Sequence, residues 1–320
     1  MDKKNGKKYG LFALLIAGII VVSSLSSVLI YRAIDNNDKQ KQEAQEAEIK
    51  DATAELKALM EDEDATIEEI EKAFDKYFPK LDKETATGFI DSLAYLTHYN
   101  LSIVGELNDA ELALVYQSLD QDGIYNPELM VDESLKEKLD AIIEYHALIA
   151  QVNGEIIVAV DYGYFVDTYG EYMAEDYKAI FDFYEKEQKE DYIDAETDNL
   201  MCDVVLDRIT TLDAFIVKYS TSSLKDVYKS TRDFYIKEYL GLYSTERVYD
   251  DELKLKDYIL ESYKKVAKDK ESPIYEDISD ILKAYENSGY VRNAEVETLL
   301  LSASNTTQSE YEEIKEQLAE

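Results

Sequence analysis

Few side chains in this 320-residue sequence belong to the types that catalyse reactions or hold metals: two His, one Cys, and 69 Asp plus Glu against 34 Lys plus Arg. A zinc or general-base site would need His98 and His146 brought together with carboxylates, and nothing in their spacing does that, so they read as ordinary surface or core histidines. Cys202 lies about a turn from Val205 and Leu206 with no His near it in sequence, the pattern of a small buried apolar residue and not of a nucleophile. Ser118-Leu119-Asp120-Gln121-Asp122-Gly123 places oxygens at alternate positions before a Gly, like the first half of a calcium loop. The twelfth position is Leu129 where a bidentate Glu is needed, so the stretch reads as a loop with a Gly turn. Pairs such as Asp191 with Asp194 or Glu185 with Glu187 have the residue types of glycoside hydrolysis, but so acidic a chain produces such pairs by chance. No nucleophile-elbow, zinc-protease, phosphate-loop or C-x-x-C pattern occurs. The reading is a non-enzyme without metal or cofactor.

Tyrosine is the unusual abundance: 27 Tyr with 9 Phe and no Trp. Tyr162, Tyr164, Tyr169, Tyr172 and Tyr177 crowd one short segment. The first four are the candidate ligand-binding residues, able to line a groove for a peptide or glycan; the competing reading packs them in the core with hydroxyls at the rim. If a strand continued through them, Tyr164 and Phe165 would point to opposite sides.

Only 3 Pro and 11 Gly argue for long helices over tight turns. The expected fold is mainly α, an irregular antiparallel helical bundle or short helical stack with one small β-hairpin, preceded by a transmembrane helix. Thr66 and Glu69 have capping-box spacing ahead of Ile67, Ile70, Phe74, Tyr77 and Phe78, which predicts a helix ending at Pro79. Further helices are predicted over 84–99, from Asn108 with Glu111 three on, from Asp132, over 196–219 and over 224–240 with Ser223 as cap. Others follow over 250–267, from Pro273 with Ser272 as cap, over 294–303 and from Thr307. Between them, 146–152 and 155–160 flank Asn153-Gly154, predicting two strands around a type I′ turn, with a helix through 146–150 as the alternative. No fixed-period self-similarity is visible.

Residues 9–31 carry no charge and would span about 34 Å as a helix at 1.5 Å per residue, enough to cross a bilayer. Lys3, Lys4, Lys7 and Lys8 precede the run, which keeps the N-terminus cytoplasmic. A cleaved signal peptide is the alternative, since Ser23, Ser24, Ser26 and Ser27 supply small residues after an apolar stretch. The expected organisation is a cytoplasmic tail at 1–8, a signal anchor at 9–31, an acidic helical stalk at 32–66 and an extracytoplasmic helical domain at 67–320, subdivided near 121–131. The stalk's only apolar spacing, Ile49, Ala52, Leu56 and Leu59, falls short of a stable coiled coil. Residues 33–320 hold 29 basic and 68 acidic side chains, a balance of −39. That field opposes nucleic acid and anionic lipid head groups and favours cations, basic proteins or neutral glycans.

One stretch, residues 139–250, resembles a group of exported or membrane-anchored proteins of Gram-positive Firmicutes. The likeness runs through Asn153-Gly154, Val160-Asp161-Tyr162, Tyr164-Phe165, Tyr169 and Tyr172, then Leu212-Asp213-Ala214-Phe215-Ile216-Val217-Lys218-Tyr219 and Tyr235-Ile236-Lys237-Glu238-Tyr239-Leu240-Gly241-Leu242. This chain departs from the group at Ser220-Thr221-Ser222, where Pro-Asn-Ser is usual, and at Ser244-Thr245-Glu246, where Asn-Thr-Pro is usual. The resemblance implies an exported or anchored location and transfers no catalytic or binding residue. The expected function is a single-pass envelope protein acting as a protein-interaction or scaffold module. The alternative is a tyrosine-lined binding module for an envelope glycan or peptide. Expected partners are the membrane through residues 9–31, another envelope protein, and a cell-wall glycan or peptide, with no nucleic acid.

Overall fold

The computed structural model describes residues 36–62, 65–100 and 107–311. The tail and membrane segment expected at 1–8 and 9–31 lie outside the described residues. Among the described residues no helix is long and apolar enough to cross a membrane. The chain is mainly helical with one small antiparallel sheet. It forms two compact units that divide between Lys186 and Glu187, within a helix.

The first unit runs α1 (Asn36–Met60), α2 (Ile67–Tyr77), a 3-10 turn (Phe78–Lys80), α3 (Lys83–Asn100), α4 (Asp109–Gln117), α5 (Glu133–Ile143), β1 (Ala147–Val152), β2 (Glu155–Val160), α6 (Tyr162–Tyr169) and most of α7 (Glu175–Lys189). The helix expected as a stalk is present, but its second half is part of the domain. Ala52, Leu56 and Met60, spaced by four, are buried. Tyr77 donates to Glu55, and Lys80 lies 2.7 Å from Glu48. The capping box forms as its spacing requires: Thr66 Oγ1 accepts the Glu69 amide and Glu69 Oε2 accepts the Thr66 amide. Asn108 and Glu111 repeat it at α4, and Asp132 caps α5 through the Leu135 amide. At the hairpin Asn153 and Gly154 take φ of +53° and +84°, the left-handed pair of a type I′ turn. The register runs from Val152 opposite Glu155 to Ala147 opposite Val160. Val115, Tyr125, Leu139, Ile142 and Ile149 close the core on one face of this hairpin.

The second unit contains α8 (Cys202–Lys218), α9 (Lys225–Tyr239), α10 (Thr245–Val248), α11 (Asp257–Val266), α12 (Tyr275–Ser288) and α13 (Ala294–Ala303). Helix α8 packs on α9, α11 on α12, and α12 on α13. Two predicted helices start late for one reason. Asp194 Oδ1 accepts the Glu196 and Thr197 amides, and Ile193 bridges to Leu200, so 194–200 is a closed loop and the helix begins at Cys202, not 196. Asp250 Oδ1 likewise accepts the Glu252 and Lys254 amides under a Tyr249–Leu255 bridge, and α11 begins at Asp257, not 250. Neither Ser223 nor Ser272 caps a helix: α9 and α12 open at Lys225 and Tyr275 without a side-chain cap.

This loop recurs in the first unit, where Asp120 Oδ1 accepts the Asp122 and Ile124 amides beneath a Leu119–Tyr125 bridge that leads toward α5. In the second unit each such loop is followed by two helices and a left-handed Gly, at Gly241 and Gly289. The helices that follow the two loops, α8 and α11, are 17 and 10 residues long, and that inequality hides the recurrence from a fixed-period search. Gly241 is obligatory: at φ +68° an added Cβ would come within 2.7 Å of both Tyr249 Cε2 and Val248 Cβ.

Candidate functional site

The four candidate tyrosines come from α6 and the turn after it. The strand ends at Val160, and Asp161 caps α6 by accepting the Tyr164 amide at 2.9 Å, so Tyr164 and Phe165 are helix neighbours and not the alternating pair of a strand. Phe165 and Tyr169 are fully buried, while Tyr162, Tyr164 and Tyr172 are partly buried. Each ring has an internal aromatic partner. Tyr162 meets Phe181 and Tyr184 at 5.0 and 4.9 Å between centroids. Tyr169 sets its edge on Phe74 and Phe78, and Tyr172 meets Phe78 at 5.6 Å. Tyr164 lies flat on the His146 ring. Tyr177 is partly buried on α7.

What the structure adds is a carboxylate at the centre of this group. Glu71 Oε1, from α2, receives the Tyr164 hydroxyl, has the Tyr169 hydroxyl at 3.5 Å, and lies 2.8 Å from His146 Nε2. The His146 contact is a close approach and not an aligned hydrogen bond. His146 occupies the corner between α5 and β1 with φ +58°, and its carbonyl accepts the Asp161 amide at 2.8 Å. Burial lowers the His146 pKa from its ordinary 6.5, with Glu71 and then Asp161 acting in opposition. Burial, reinforced by the bond to Glu71, pushes Tyr164 up to about 12. The cluster ties α2, the hairpin and α6 together, and its tyrosines remain proton donors across the physiological range. Nothing in the sequence announced it, because Glu71 and His146 are distant in the chain and only the tertiary fold joins them.

The remaining candidates separate. The side chain of His98 lies outside what the structure describes. The Asp120 carboxylate is turned onto its own loop amides. Cys202 is a partly buried free thiol whose pKa burial raises, which disfavours the thiolate. Among the described residues no group of three or more His, Cys, Asp or Glu could hold a metal ion.

The second unit has a polar interior of its own. Arg208, 2% exposed, lies between the Tyr192 and Tyr235 rings, 5.2 Å from each centroid, and donates to the Tyr235 hydroxyl and the Glu190 carbonyl. Burial pushes Glu187 up to about 7 against the opposing pull of Arg208. Arg292 repeats the arrangement between Tyr249 and Tyr311. Tyrosine hydroxyls in this core are bonded inward: Tyr249 to Tyr285 at 2.7 Å and to the Leu240 carbonyl, Tyr263 to the Tyr239 carbonyl, and Tyr239 to Ser262. No protein-family model matches this chain, and no curated protein or solved structure is detectably similar to it.

Proposed function

We propose that the chain is a single-pass envelope protein, anchored through residues 9–31 with its N-terminus cytoplasmic, whose helical extracytoplasmic part works as a protein-interaction or scaffold module. The observation that carries this reading is the internal engagement of Tyr162, Tyr164, Tyr169 and Tyr172: rings already stacked on Phe181, His146, Phe74 and Phe78 offer a sugar or peptide little free face. The helix pairs α8–α9 and α11–α12, linked by aspartate-closed loops, then make a short helical stack with a strongly acidic exterior. Such surfaces recognise partners by charge and shape, without chemistry of their own. The likeness of residues 139–250 to exported Firmicutes proteins supports the same location.

The test joins topology to binding. A reporter active only outside the cytoplasm should work when fused after Glu320, with the protein in the membrane pellet. Crosslinking on intact cells should yield a salt-sensitive protein adduct. Release of the protein into the medium with a new N-terminus between Ser24 and Ala33 would replace the anchor by secretion. Binding to isolated wall glycan that falls in Tyr162→Ser and Tyr172→Ser would favour the ligand-module alternative.

A further inference from the structure

Among the described residues the small sheet is paired along its β1 edge, while Ile156 and Val158 on its β2 edge have no backbone partner. On the β1 side, Tyr125 donates to the Ile149 carbonyl and Gln151 donates to the Gly123 carbonyl, both at 2.8 Å, so residues 123–125 act as a third short strand. Because backbone direction alternates along a strand, Ile149 and Gln151 facing outward means that Leu148, Ala150 and Val152 face β2. Their partners are Ala159, Ile157 and Glu155. The amides and carbonyls of Ile156 and Val158 therefore point away from β1. Among the described residues no backbone group pairs with them.

Natural edge strands are commonly protected by a lysine, a proline, a bulge or a covering element. Strand β2, Glu155-Ile156-Ile157-Val158-Ala159-Val160, has no lysine or proline, its register is unbroken, and its four middle residues are only partly buried. The two helices packed against it are α3 and α4. Together with the hairpin they carry Glu84, Asp109, Glu111 and Glu155 outside the core, and their one Lys or Arg is Lys83 at the start of α3. An acidic surround repels a second copy of so acidic a chain and attracts a basic segment.

We infer that β2 is a docking edge on which an extended, lysine- or arginine-bearing polypeptide segment adds as a further strand, its backbone pairing with Ile156 and Val158 and its basic side chains facing the acids of α3, α4 and Glu155. Main-chain pairing supplies the affinity in this mode of recognition and the flanking charges supply the selectivity. The inference rests on the protein-interaction reading above and gives it a surface and a partner chemistry.

The test uses the full chain in detergent micelles and a short labelled peptide alternating lysine and valine. In the free protein the Ile156 and Val158 amides should exchange with solvent quickly, and those of Ile157 and Ala159, bonded to β1, slowly. Peptide binding should slow exchange at Ile156 and Val158, weaken steeply with salt, and be lost when glutamate replaces lysine. Val158→Pro removes one outward amide without touching a bond to β1 and should weaken binding about tenfold. Should that variant misfold, a peptide with proline in place of each valine gives the same information on the unaltered protein.

Edge amides already slow in the free protein, equal binding of the proline peptide, or binding without protection at Ile156 and Val158 would each overturn the docking edge. Protection that grows with protein concentration alone would assign the edge to a second copy and overturn the basic-segment occupant. Any of these leaves the reporter and crosslinking results standing, so failure of the edge is distinguishable from failure of the interaction module.

Discussion

The imidazole of His146 lies parallel to the phenol of Tyr164, centroids 3.7 Å apart and planes 7° from coplanar, above the carboxylate of Glu71. The stack is made with the neutral ring, since burial lowers the His146 pKa. A lowered folded value contributes stability that is complete above the ordinary 6.5 and is lost as pH falls through the folded value. Melting temperature should therefore drop on the acid side, and His146→Gln should flatten that part of the profile. Proton NMR of the two histidines measures it directly: a His146 titration midpoint at or above 6.5 would contradict the burial argument.

Two carboxylates act with the opposite sign. Burial pushes Asp91 up to about 6 and Glu187 up to about 7. Raised acid values mean that the folded state prefers the proton, so each contribution is present below the ordinary 3.8 or 4.5 and is lost as pH rises through about 6 or 7. Asp91→Asn and Glu187→Gln should each gain on the order of 3 kcal/mol near pH 8 and little near pH 4, by the usual conversion of a shift of two units or so. Chemical denaturation at both pH values separates this effect from a pH-independent loss of packing.

The tyrosines should divide by burial. Tyr169→Ala and Tyr263→Ala remove fully buried rings and should cost roughly 3 kcal/mol or more. Tyr285→Phe keeps the ring and loses the bond to Tyr249, and should cost about 1 kcal/mol. Tyr172→Ser loses a partly exposed ring and should cost distinctly less than Tyr169→Ala. Thermal melts of the single variants decide it, and equal losses at Tyr169 and Tyr172 would contradict the burial described.

Legibility followed locality. The capping boxes at Thr66 and Asn108, the Asn153-Gly154 turn and the span 294–303 were readable because their causes lie within a few residues. The starts of α8 and α11 fall later than 196 and 250 because Asp194 and Asp250 first close bridged loops whose partners, Leu200 and Leu255, lie beyond the reach of a local pattern. The tyrosine segment stands out in the sequence by its density alone, and its geometry does not follow from that: the packing of Tyr164 depends on His146 and Glu71, which meet it only in three dimensions.

The aspartate loops give a prediction that sequence alone could not frame. An asparagine keeps the Oδ1 acceptor of the turn and an alanine does not. Asp120→Asn and Asp250→Asn should melt close to the parent, and the alanine variants should melt a few degrees lower. Equal melting of the two alanine variants and the parent would remove these bonds from the stability of the fold.

With tyrosine filling the interior and no tryptophan present, the chain's near-ultraviolet signal is a direct gauge of its packing. Phenols at the surface lose their protons near pH 10, whereas the buried Tyr263 and Tyr285 are held far higher by desolvation. An alkaline absorbance titration should rise in two stages, surface phenolates first and interior ones only as the helices part, so that one optical curve reports the ionisation of the exterior and the opening of the core.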